Sequence, residues 1–211
     1  MHRLTDLFSR LAHDIYPPRD DLVEIVDSPP GKTDAVVAFT SHHVVAGSID
    51  PDLVRSRLDP EDDAAPMRAP FLAWLGEQLD SRPGSLRVVM VAKGLGGGSK
   101  ELERRDDMYG HTRVAAALVN RENVELYSDK YGQSILVIGE GLAGRRELSV
   151  RVPASQRQAG TGRRLVQGAM ALTPRGMPLF AQVAAGNAAS LRAFYNAGFR
   201  PIGAEVLFPK S

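Results

Sequence analysis

The chain has 211 residues, 43% hydrophobic and 24% charged, enough apolar side chain for one substantial core or two small ones packed together. Its formal net charge of +1 argues against a nucleic-acid binder working through bulk electrostatics, and the absence of Cys excludes disulfides, zinc thiolate sites and thiol nucleophiles. No apolar run approaches membrane-spanning length.

In chain order, LTDLFSRLAHDIY comes first, with Leu4, Leu7, Phe8, Leu11 and Ile15 at helical spacing. Asp6 and Asp14 depart from the acid-poor pattern of a transit peptide, so the segment reads as an amphipathic surface helix of a cytoplasmic protein. Strands at LVEIV and AVVAFTS, a helix at DPDLVRSRL, an acidic loop through PEDDAAP, a helix at PFLAWLGEQL and a strand at LRVVMVA follow. At GLGGGSKELERRDD a glycine run meets a charge run, which reads as a flexible connection between a region 1–100 and a region 101–211. Beyond it come a helix through GHTRVAAALV, strands at NVELYS, SILVIGE and ELSVRV, a helix over 160–172, a strand at PLFAQVA, a helix over 187–197 and a final strand near AEVLF. This mixture predicts an α/β or α+β sheet with helices on its faces, the first hundred residues forming an α/β extension that echoes the second half.

The segment RQAGTGRRL holds the chemistry. Leu148, Val150 and Val152 alternate with Glu147, Ser149 and Arg151, so this strand buries one face and offers the other to something polar, and Pro153 ends its ladder. The chain then passes through Gly160 and Gly162 into a helix carrying Leu165, Val166, Ala169 and Met170. Backbone N–H groups at a helix start lack intrahelical partners, and glycine lets a ligand approach them. Arg163 and Arg164 fall in the first turn, where the helix dipole disfavours each by about 0.3–1 kcal/mol, a penalty that a bound anion reverses. On spacing alone, an anion cradle and a plain strand-to-helix turn with exposed arginines both remain open.

Downstream, NAASLRAFYNAGFRPIG reads as a complete helix: Asn187 as cap, Leu191 and Phe194 as apolar face, Gly198 for the left-handed position and Pro201 to prevent resumption. Arg157-x-x-Gly160-x-Gly162, between a strand and a helix, resembles the acetyl-CoA pyrophosphate loop of the GNAT superfamily of N-acetyltransferases, and Asn187, Phe194, Gly198 and Phe199 resemble that family's carboxy-terminal motif. The two occur in family order with one strand between them. The resemblance covers 147–208 closely, and the chain from Arg113 onward by element order.

The resemblance implies a mixed, mainly antiparallel sheet with helices on both faces, whose ELSVRV strand splays from PLFAQVA to admit a pantetheine arm along the backbone of Val150 and Val152. It implies that Arg157, Gln158, Ala159, Gly160, Thr161, Gly162 and Arg163 hold the pyrophosphate of acetyl-CoA, that Asn187 reaches the pantetheine or thioester, and that Phe194 stands where many members carry a tyrosine acid. The implied activity is transfer of an acetyl group to a small-molecule or peptide amine by direct attack in a ternary complex. No nucleic acid, membrane or metal takes part, and a homodimer is left open.

An amine with a pKa near 10.4 must lose a proton before it attacks, so a base or a water chain is expected. Glu147 comes first, on the polar face of the strand beside the implied thioester, and Glu140 second; each also reads as a strand carboxylate paired with Arg145, Arg146 or Arg151. A backbone N–H near Val152 would stabilise charge developing on the thioester carbonyl. Tyr195, the remaining candidate acid, lies about 100° around the helix from Phe194 and points elsewhere. Phe194 also keeps alive an acyl-CoA-binding regulator with weak turnover, and the anion loop by itself would suit a nucleotide or phosphometabolite binder. Ser41 and His42 are adjacent in a strand-like run and face opposite sides, so they do not make a nucleophile pair.

Overall fold

Strand segments in this chain carry apolar side chains at successive as well as alternate positions, so both faces of the sheet have to be covered. A computed structural model describes residues 1–108, 110–156 and 160–210. Its strands are β1 (Leu22–Val26), β2 (Thr33–Phe39), β3 (His42–Ala46), β4 (Arg87–Lys93), β5 (Leu102–Arg104), β6 (Glu122–Asp129), β7 (Ile135–Glu140), β8 (Arg146–Arg151), β9 (Pro178–Ala184) and β10 (Arg200–Pro209). They form one sheet in the order β1-β3-β2-β10-β4-β9-β8-β7-β6-β5, antiparallel except at β1–β3 and β8–β9. Strands from before and after residue 100 are interleaved, because β4 lies between β9 and β10.

Helices α1 (Arg3–Leu11), α2 (Pro51–Arg57), α3 (Ala69–Gln78), α4 (Thr112–Asn120), α5 (Thr161–Leu172) and α6 (Ala188–Asn196) cover the two faces. In β7, Ile135 and Val137 pack with Val114 and Ala117 of α4, while Leu136 and Ile138 pack with Leu165, Val166 and Ala169 of α5. Cross-strand partners share a face, so Val137, Ser149 and Ile135, Arg151 lie on the α4 side together with Glu147 and its partner Phe180. Phe180 in turn meets Phe8 of α1, their ring centroids 5.7 Å apart. Thus α1 and α4 occupy one face, and α2, α3, α5 and α6 the other.

Two sequence expectations change. The N-terminal helix ends at Leu11, and Leu4, Leu7, Phe8 and Leu11 are buried on the middle of the sheet while Ile15 lies outside the helix and is exposed. The glycine run is not a slack connection: the N–H groups of Gly94, Leu95, Gly96 and Gly98 donate to the carbonyls of Met177, Met170, Thr173 and Ala171, tying the run to the carboxy-terminal end of α5. A side chain at Gly94 would overlap the Thr173 and Pro174 carbonyls. Among the described residues, no helix is long and apolar enough to cross a membrane.

Candidate functional site

At the centre of the sheet, β8 and β9 run parallel but pair only at Glu147↔Phe180 and Leu148↔Ala181. Beyond those positions β8 stays paired with β7 as far as Arg151, and β9 stays paired with β4 as far as Ala184. The two strands therefore part from Ser149 and Gln182 onward, leaving backbone groups along the facing edges without a strand partner. The amino end of α5 lies beside this opening. Gly160 adopts φ 73°, no side chain among the described residues caps the helix, and a Cβ at Gly162 would be 3.8 Å from Val152 Cγ2. Among the described residues, a Cβ at Gly160 would find only Arg164 Nη1, 3.9 Å away, so none of them crowds the start of the first turn there. Parallel partners close at one end and separated at the other, next to an uncapped helix start, make a slot with anion donors at its mouth.

Beneath the point where the strands part is a buried group of charges on the face shared by α1 and α4. Glu147, 1% exposed, accepts from Arg145 Nε at 2.7 Å, from Arg121 Nε at 3.0 Å and from Gln182 Nε2 at 3.1 Å. Arg145 also donates to Glu205 Oε1 at 2.5 Å and lies over the Phe8 ring, 4.4 Å from its centroid. Burial pushes the Glu147 carboxyl up, but Arg145 and Arg121 outweigh it and hold it below the usual value. At Glu205 burial prevails over the same Arg145, aided by the charge of Glu147, and leaves its pKa raised.

Above this group, between α4 and the sheet, a cavity of about 150 Å³ is lined by Arg87, Arg113, Asn120, Arg121, Ser149 and Gln182 among others. Ser149 and Gln182 are the first residues past the last β8–β9 pair, so the cavity abuts the opening from the α4 side. Arg121 is engaged by Glu147 and by Ser149 Oγ at 3.2 Å. Burial lowers the Arg113 pKa, and the neighbouring charges of Arg87, Arg121 and Arg151 lower it further.

The sheet order, one parallel pair in an antiparallel frame and the separation of that pair decide the architecture. The fold is GNAT-like. No protein-family model and no curated protein matches the chain. Among solved structures, the chain is similar to a protein described as a GNAT-family acetyltransferase from Novosphingobium aromaticivorans at 20% identity and TM-score 0.45, over 62% of this chain and 66% of that one. A GNAT-family acetyltransferase from Colwellia psychrerythraea shows 13% identity and TM-score 0.38 over 68% and 63% of the two chains. For a GCN5-related N-acetyltransferase from Kribbella flavida the values are 12%, 0.37, 67% and 65%. This chain thus spans just under two thirds of the length of each of these three, and it is its own strand order that carries the GNAT-like assignment.

The residues expected from sequence fall into three groups. Val150, Val152, Gly160, Thr161, Gly162 and Arg163 flank the opening or begin α5, whereas Arg157, Gln158 and Ala159 lie outside the described residues. Asn187 is exposed and caps α6, its Oδ1 accepting from the Ser190 N–H at 3.1 Å. Phe194 is buried in the α5–α6 core, edge-on to Phe199 with centroids 5.1 Å apart, and Tyr195 is 68% exposed. Among the proposed catalytic groups, the structure does not bring Glu140 to the opening: it is exposed, accepts from Asn123 Nδ2 at 2.9 Å and pairs across β7–β8 with Arg146, about 10 Å along the strand from Ser149. Glu147 is near the opening, yet both its oxygens are occupied by arginine and glutamine donors. Arg145, offered by the sequence as a partner of Glu147, is one of these donors, whereas Arg87, Arg113, Arg121, Gln182 and Glu205 were not singled out. The available signal was Glu205 inside the apolar run AEVLF, since a carboxylate buried in a strand needs a cationic partner.

Proposed function

We propose that the chain is an acyltransferase that takes acetyl-CoA as co-substrate in the slot between β8 and β9 and passes the acetyl group to an amine by direct attack in a ternary complex. The observation that carries this reading is the opened strand pair beside the uncapped, glycine-started α5. The residues present fit such a group: Gly160 leaves open space where a diphosphate would meet the helix start, and the edge of β8 from Ser149 to Arg151 lacks a partner on the β9 side, as an amide-bearing arm requires. When bound, acetyl-CoA would supply an activated acetyl thioester. Thr161, Gly162 and Arg163 would hold its phosphates, and the backbone from Ser149 to Val152 would orient its arm and present an N–H towards the thioester carbonyl. Glu147, ionised and fully hydrogen-bonded, would fix Arg121 and Gln182 at the junction of slot and cavity rather than accept a proton.

A second reading, an acyl-CoA-binding regulator with weak turnover, draws on Phe194 and Tyr195: one lacks a hydroxyl and is buried, the other is exposed. Calorimetric titration with acetyl-CoA, CoA and NAD, followed by release of free CoA thiol over a panel of amines, separates the readings. Acetyl-CoA binding with amine-dependent thiol release is expected. Tight binding without release would favour the regulator, and selective NAD binding would remove the acyl-CoA site altogether.

A further inference from the structure

The cavity beside the slot has a pronounced chemical bias. Arg87, Arg113 and Arg121 line it, and none of its lining residues is a carboxylate, histidine, lysine or tyrosine. Arg121 is satisfied by Glu147 and Ser149, but the side chains of Arg87 and Arg113 make no hydrogen bond or ion pair among the described residues. Half-buried Arg87, whose charge is felt by its register partner Glu205, and exposed Arg113 face the same space as Arg121 with no salt bridge of their own among the described residues, and Arg151 is also close enough to Arg113 to disfavour its charge. Like charges held around one space repel, and an anion entering between them relieves that repulsion while accepting paired hydrogen bonds. The cavity, at about 150 Å³, is well under the roughly 300–1,000 Å³ of a typical small-molecule cleft, which suits a small guest.

Resting on the acyltransferase reading above, we propose that the acceptor is a small amine that also carries a carboxylate or phosphate, and that Arg87 and Arg113 bind this anionic group. Arg87 enters from β4, in register with Ala184 of β9 and Glu205 of β10, and Arg113 from the first turn of α4, so together they grip from two sides of the cavity. An acceptor held there has its other end at Ser149 and Gln182, where the slot begins.

The test titrates succinate, inorganic phosphate and the neutral succinamide into the full chain saturated with CoA, for the native protein and for Arg87→Gln, Arg113→Gln and the double variant, with thermal melts to establish folding. Binding of succinate or phosphate but not succinamide is expected, at least tenfold weaker in each single variant, with CoA affinity changed less than twofold. Preference for succinate or for phosphate names which anion the acceptor carries. Equal binding of succinamide, unchanged anion binding in the folded double variant, or displacement of both anions by CoA would overturn the proposal while leaving the acyltransferase reading in place. Arginine-dependent anion binding in a protein that does not bind CoA would overturn the acyltransferase reading and leave an anion site of another purpose.

Discussion

Glu147 shows how one residue can be assigned two incompatible roles. Its place on a strand beside the slot suits a general base, and a base needs a free lone pair facing the acceptor. In the structure its oxygens accept from Arg145, Arg121 and Gln182, and Gly141 makes room for the carboxylate, since a Cβ there would overlap it. Glu147→Gln would therefore leave Arg145 and Arg121 short of a buried counter-charge, and we expect a loss of about 3–5 kcal/mol in urea unfolding. A variant as stable as the native protein, with thiol release alone impaired, would restore the base. Sequence made Glu147 visible as polar in an apolar strand and offered nearby Arg145 as a partner, but it could not bring in Arg121, between α4 and β6, or Glu205 of β10, because both lie far from Glu147 along the chain. The arginine-lined cavity was illegible for the same reason.

Single elements were easier to read. Apolar periodicity marked α5, α6 and β6 to β9 because each buries one or both faces on a regular spacing, and the glycine at the start of α5 stood out by its chemistry. What pattern alone missed was short or unusual: β5 has three residues, and β3 follows β2 through a turn with Ser41 at φ 52° rather than through glycine. The αL conformation of Gly160 gives α5 a discriminating experiment. Asn tolerates a positive φ and adds no charge, so Gly160→Asn should retain acetyl-CoA affinity within about threefold, whereas Gly160→Glu should lose roughly a hundredfold by setting a carboxylate where a diphosphate belongs. Calorimetry on both variants reads the difference. Equal affinity of a folded Gly160→Glu would place the phosphates elsewhere.

Over the whole molecule, the strand order ties residues before and after the glycine run into a single sheet, and β4 lies at its centre between β9 and β10. Stability measured at a distance from the slot therefore bears on the slot. His43 is buried on the α2–α3 side of β3, and burial, together with the charge of His42 on the opposite face, lowers its pKa despite Asp63. The unfolded chain then takes up this proton at a higher pH than the folded one, so stability falls as pH drops through about 6.5 towards the folded value. Urea midpoints at pH 7.5 and 5.5 should differ more for the native protein than for His43→Leu, and the same difference in both would show that another group governs the loss. The central claim concerns the parted strands and the helix start beside them, and amide hydrogen exchange tests it most directly. Adding acetyl-CoA should slow exchange at the β9-facing amides between Ser149 and Arg151 and at Thr161 to Arg163 together, with little change in β1 to β3. Unaltered exchange at those amides under saturating acetyl-CoA would contradict it.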